Sequence, residues 1–259
     1  MLSTSFSIYN LEYYLLIFVR IAGMVSVAPI YGTKGVPRRT RIGFALCVAL
    51  LVSSITEYQP LNYTTLIGFT ILLIKELIMG LSIGLAANLC MSIISLAGMF
   101  IDREIGFTMV TEFDQTANTN VTISAEFYNY AVLLVMLCTN MHYFLISAVC
   151  DSFKVVPVGE ALFNAQEGYA LAIRFMQQYF VIGFRIALPI FISITLCNVI
   201  LGVLAKTAPQ MNMFSVGIEL KLIFGLVVMM ATIYFLPNIT EMLYHATQDI
   251  VYDIIKTMY

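Results

Sequence analysis

Charge is scarce in this sequence. Asp, Glu, Lys and Arg make up 11% of its 259 residues, 60% are hydrophobic, and the mean hydropathy is +0.91. Soluble domains carry roughly 25% charged residues, so a soluble globular domain is excluded and a polytopic helical membrane protein is expected. A net charge of −2, with one short basic cluster, leaves no surface for nucleic acid. Disulfide and zinc frameworks are absent too. Cys47, Cys90, Cys138, Cys150 and Cys197 stand singly with no Cys-x-x-Cys pair, and they read as small buried hydrophobes. His142 and His245 have no second ligand at helical spacing, which argues against a metal site. Neither a Gly-x-Ser-x-Gly elbow nor a phosphate-cradling glycine loop occurs. With no catalytic constellation, no enzyme and no cofactor are expected. The opening MLSTSFSIYNLEYYLL lacks a basic leader, so the first apolar segment is expected to be retained.

What is present is a set of apolar runs around one polar insert, Asp102 to Glu126. Leu77 to Ile101 and Phe127 to Cys150 contain no Asp, Glu, Lys or Arg. Each is long enough to cross a hydrocarbon core of about 30 Å, since roughly 25 helical residues reach about 37 Å. The insert carries Asp102, Arg103, Glu104, Glu112, Asp114 and Glu126 and is rich in Thr and Asn from Thr111 to Thr122. Such a backbone is tolerated only in water, against protein or in a water-filled cavity. An ordinary loop between two spans and a pore or gate element are both open readings, and Phe107, Met109, Val110 and Phe113 within the insert argue against a loop that is merely solvated.

Other segments follow in order. Leu11 to Pro29 is a first apolar segment with Arg20 at its middle, where a charge needs a partner on a neighbouring helix. The basic break Tyr31 to Arg41, bounded by Pro29 and Pro37, predicts a cytoplasmic connection with the amino terminus outside. Ile42 to Ile55 and Leu61 to Ile74 read as two short helices joined through Pro60. Lys75 and Glu76 then precede the long run, in which Gly80 and Gly84 have the spacing of close helix packing and Asn88 needs an interhelical hydrogen bond. Pro157 and Gly159 break the chain after Cys150. Phe175 to Ala205 is too long for one straight span, and Pro189, four residues after Arg185, predicts a bent or broken helix. Lys206 to Lys221 reads as a tight polar turn, followed by the apolar run Leu222 to Ile239 and an amphipathic tail. Phe175 to the end thus forms a helical hairpin. Arg20, Asn88, Arg185 and Asn198 are the candidate interhelical polar contacts.

These motifs resemble the FliR/SctT family of type III secretion export-gate subunits over essentially the whole chain. The resemblance rests on Arg20 with Pro29, on VPRRTRIGFAL, on Glu76 with Gly80 and Gly84, and on AGMFIDREIGF with Gly98, Asp102 and Gly106. His142, Ser152, Phe153, Pro157 and Gly159 continue it. Its most specific stretch is ALPIFISITLCNVILGVLAKTAPQMNMFSVGIELK, with the turn motif Pro209, Gln210, Asn212, Gly217 and Lys221. The chain departs from the family pattern at Gln115 after Asp114, at Asn140 and Met141, and at Lys206.

The resemblance implies an all-α fold with a FliP-like part over 1–174 and a FliQ-like hairpin and tail over 175–259. It implies a non-enzymatic channel subunit in the inner membrane at the flagellar basal body. FliP and FliQ would form the pore with it, FlhB and FlhA would adjoin, and unfolded flagellar proteins would be exported. Phe107, Met109, Val110, Phe113 and Asp114 would belong to the plug. The family also implies a cone of helices lying largely to one side of the membrane plane, with hairpins that do not cross. The SVGIELK turn leans towards the flagellar branch over the injectisome branch. A stand-alone secondary transporter is the rival from another class.

Overall fold

The computed structural model describes residues 8–32, 35–56, 61, 63, 65–108, 122–162, 164–208 and 213–259. Among these residues the regular structure is helical, with no strand. In chain order the helices are α1 (Ile8–Val27), α2 (Arg38–Ile55), α3 (Leu66–Ile105), α4 (Ile123–Cys138), α5 (Tyr143–Val155), α6 (Ala165–Thr207), α7 (Met213–Thr232), a 3-10 turn (Ile233–Phe235) and α8 (Leu236–Thr257). The chain divides into two compact units, each assembled from separate stretches. One comprises Met1–Leu89, Asn140–Phe175 and His245–Tyr259, and the other Cys90–Thr139 and Met176–Tyr244. The sequence boundary at 174/175 therefore falls inside α6.

Several helices are longer and fewer than hydropathy segmentation suggests. Leu61 to Ile74 is not a separate short helix, because α3 begins at Leu66 and runs through Lys75 and Glu76 to Ile105 without a break. No Pro interrupts α3, and Lys and Glu are both good helix formers, so charge alone gives the backbone no reason to stop. At 40 residues α3 is about 60 Å long, twice a hydrocarbon core. The 43-residue α6 likewise keeps helical backbone through Pro189, so the helix is not broken there. Conversely, Phe127 to Cys150 is not one rod. α4 ends at Cys138, Asn140 adopts a left-handed φ of 60°, and α5 leaves at a bend of 68°. Among the described residues three helical stretches are long and apolar enough to cross a membrane, namely Leu66–Ile105, Gln166–Thr207 and Ser215–Thr257, and the bent α4–α5 pair adds a fourth if counted as one broken span.

Helical periodicity places the cores. On α1, Tyr13, Leu16, Ile17, Ile21, Met24 and Val25 are buried, a stripe at three- and four-residue steps that includes Arg20. On α3 the buried stripe runs from Met79 and Ile83 through Ala86, Cys90, Ile94 and Ala97 to Ile105. In the second unit Tyr128 and Val132 of α4, Ile186, Ile190 and Ile194 of α6, and Met229 of α7 are buried as well.

Candidate functional site

Arg20 is the most demanding residue of the first unit, a guanidinium with no exposure on an apolar helix face. α1 and α3 approach closely enough to serve it because Gly80 and Gly84 carry no side chain. A Cβ on Gly80 would collide with the Arg20 carbonyl oxygen, and one on Gly84 would lie 2.6 Å from that of Met24. This contact brings Glu76, also fully buried, beside Arg20. The pair is bidentate, Nε donating to Glu76 Oε2 at 2.5 Å and Nη2 to Oε1 at 3.0 Å. Nη1 donates to Ser152 Oγ at 3.2 Å and to the Val156 carbonyl at 3.1 Å, both at the end of α5. The Phe153 ring centroid lies 4.1 Å from the guanidinium carbon.

Glu76 Oε1 also accepts the Gly159 N–H at 2.8 Å, where Gly159 has a φ of 88° that side-chain-bearing residues rarely adopt. The breakers Pro157 and Gly159 thus supply more than a turn, since the backbone they expose completes the shell of a buried carboxylate. Removing one partner of such a pair leaves an uncompensated buried charge, so the network fixes α1, α3 and the end of α5 in one register.

Two further contacts finish this unit's framework. Asn88 Nδ2 donates to the Val27 carbonyl at 2.9 Å and so satisfies one of the free carbonyls at the carboxyl end of α1. Tyr31 stacks on Phe44 at 5.0 Å and donates to the His142 carbonyl at 3.1 Å. Burial, and secondarily Tyr143, raise the Tyr31 phenol above its ordinary range, so it stays a proton donor.

The second unit holds the neck of the polar insert. Asp102 to Ile105 end α3, Phe107 and Thr108 are helical as well, and Ile123 to Glu126 open α4, so both ends of the insert belong to helices. Asp102 is nearly fully buried, and its carboxylate oxygens accept the Ser124 N–H at 3.1 and 3.4 Å. A negative charge on a free N–H at a helix start suits the helix dipole. Gly98 packs directly on Ala125, leaving no room for a Cβ. Tyr128 hydrogen-bonds Thr232 at 2.6 Å and the Ser124 hydroxyl contacts Met229 Sδ at 3.6 Å, tying α4 to α7. Of the expected plug residues, Phe107 is half-buried just beyond this neck, while Met109, Val110, Phe113 and Asp114 lie outside the described residues.

The remaining candidates are not drawn into either cluster. Arg185 is exposed on α6, where its Nη1 contacts Met242 Sδ at 3.7 Å. Asn198 is half-buried with no hydrogen-bond partner among the described residues. Pro209, Gln210 and Asn212 lie outside the described residues. Gly217 and Lys221 are not in a turn, because α7 has begun at Met213. Among the described residues no group of three or more His, Cys, Asp or Glu is placed to hold a metal. Sequence reasoning missed the Asp102 neck. The available signal was an acidic residue one turn before a helix end, paired with Thr122 and Ser124 at the next helix start.

Residues 11–247 match the model of the family described as bacterial export proteins, family 1. The chain belongs to this family. A relative from Pectobacterium carotovorum, named flagellar biosynthetic protein FliR, is 31% identical over 243 residues, covering 93% of this chain and 92% of the relative. The Bacillus subtilis protein of that name is 32% identical with 81% of each covered, and that of Escherichia coli K12 is 26% identical with 93% and 91% covered. The family match spans Arg20, Glu76, Asp102, Ser124 and Gly159, so both clusters lie within the export-protein region. These names describe export and flagellar biosynthesis, and none describes an enzyme.

Proposed function

We propose that the chain is a core channel subunit of the flagellar type III export gate in the cytoplasmic membrane. It assembles there with FliP and FliQ into the pore through which unfolded flagellar proteins leave, with FlhB and FlhA adjoining. The observation that carries this reading is the end-to-end match to relatives named FliR, 93% of the chain against 92% of one relative. Those names are flagellar, which favours this branch over the injectisome. Within this reading residues 1–174 are FliP-like, 175–259 are FliQ-like, and Phe107 to Thr122 is the plug. The neck supports the plug assignment, because Asp102 and Gly98 pin the two ends of the insert to each other.

Purification of the tagged chain from its native membrane in mild detergent tests the reading. FliP-like and FliQ-like chains at fixed stoichiometry are the expected companions. A solitary chain that carries solute flux in vesicles would replace it with the transporter. Deleting Phe107 to Thr122 should make the closed assembly leaky to ions, and unchanged conductance would remove the plug role while leaving the gate role standing.

A further inference from the structure

Arg185 is the one charged side chain between Phe175 and Ala205. It is exposed, no carboxylate among the described residues lies within ion-pair distance, and its Nη1 meets the Met242 thioether. It lines a cavity of about 320 Å³, whose walls also include Pro189, Phe235, Ile239, Met242 and the exposed Asn238. Asn238 likewise has no hydrogen-bond partner among the described residues. The helices forming these walls belong to two of the apolar stretches, and each of those keeps only 22% of its most apolar window buried. At the 3-10 turn, Tyr234 and Phe235 project outward as paired exposed aromatics. Aromatic side chains of this kind favour the level of lipid headgroups.

We propose that this groove binds the phosphate of an anionic phospholipid. The Arg185 guanidinium offers two parallel N–H donors to one phosphate, Asn238 adds a third donor, and the first methylenes of an acyl chain lie along Pro189, Ile239 and Met242. The groove is lined mostly by apolar side chains around one cation, which is the pattern of a lipid phosphate under its own chains.

The test uses the full chain in detergent, delipidated and then offered equal phosphatidylglycerol and phosphatidylcholine, with bound lipid counted by native mass spectrometry. Wild type should retain phosphatidylglycerol about fivefold over phosphatidylcholine, the preference that one basic residue confers near a bilayer surface. Arg185→Gln should bring the ratio near parity, and Arg185→Lys should fall between. Ile239→Trp fills the groove while leaving the charge in place, and it should also abolish the preference. Because Arg185 makes no ion pair among the described residues, Arg185→Gln should unfold at the wild-type midpoint. An unchanged ratio in Arg185→Gln, no preference in wild type, or displacement of the lipid by inorganic phosphate alone would each overturn the proposal.

Discussion

Arg20 and Arg185 sit on helices of similar apolar character, in different units, and are handled in opposite ways. Arg20 is sealed from solvent and donates four hydrogen bonds to one carboxylate, one hydroxyl and one carbonyl under an aromatic ring. Arg185 is open and has a sulfur atom for a neighbour. Sequence neighbourhood does not separate them. The difference lies in whether a helix carrying a carboxylate can approach, and for Arg20 that approach depends on two glycines on α3. A charge in an apolar helix is therefore either an internal clamp or an outward-facing valence.

The sharpest way to break this contrast is Glu76→Ala. It strands a buried guanidinium and should cost about 3–5 kcal/mol, read as a lower unfolding midpoint in detergent and loss of accumulated chain. Arg20→Met combined with Glu76→Met should recover most of that loss, since an apolar pair leaves no charge to solvate. If the double variant is no better than Glu76→Ala, the network has a role beyond its own neutralisation. Gly80→Ala attacks the approach rather than the charge, and should cost about 1–3 kcal/mol through overpacking; a neutral result would mean that α1 and α3 part freely.

Asp102→Ala probes the other unit. Loss of the acceptor at the start of α4 should cost about 1 kcal/mol and raise protease cleavage within 106–122 several-fold. Cleavage at the wild-type rate would show that Gly98 and Ala125 alone close the neck. Arg185→Gln should be smallest of all, within about 0.5 kcal/mol of wild type, as for surface substitutions without partners. A large loss there would dissolve the distinction between the two arginines.

Much of this was legible in the residues. The uncharged runs dictated apolar helices, and a mid-helix Arg20 demanded a partner. Gly80 and Gly84 marked close packing, and Asn88 demanded an acceptor, which proved to be the end of α1. Helix ends were legible only where backbone chemistry marks them. Pro157 and Gly159 stop a helix by their geometry, whereas Lys75 with Glu76 and the charges from Asp102 to Glu104 look like boundaries in hydropathy and are not, because charged side chains leave the helical hydrogen-bond ladder intact. The same reasoning accounts for Lys221, read as turn and found in α7 together with Gly217. The partner of Arg20 could be expected on a neighbouring helix, as a carboxylate or as carbonyls, but not named, since Glu76 is 56 residues away and nothing local connects them. Ser152 and Gly159 lie further still, and the compact units cut across sequence order.

That separation sets an order on how the protein is made. Glu76 leaves the ribosome 83 residues before Gly159, whose N–H it accepts, an interval of about 4–17 s at 5–20 residues per second. For that time Arg20 and Glu76 have each other but neither the Ser152 hydroxyl nor the backbone of Val156 and Gly159, so the half-built shell of a buried ion pair must be kept wet or shielded by something outside the chain until α5 arrives.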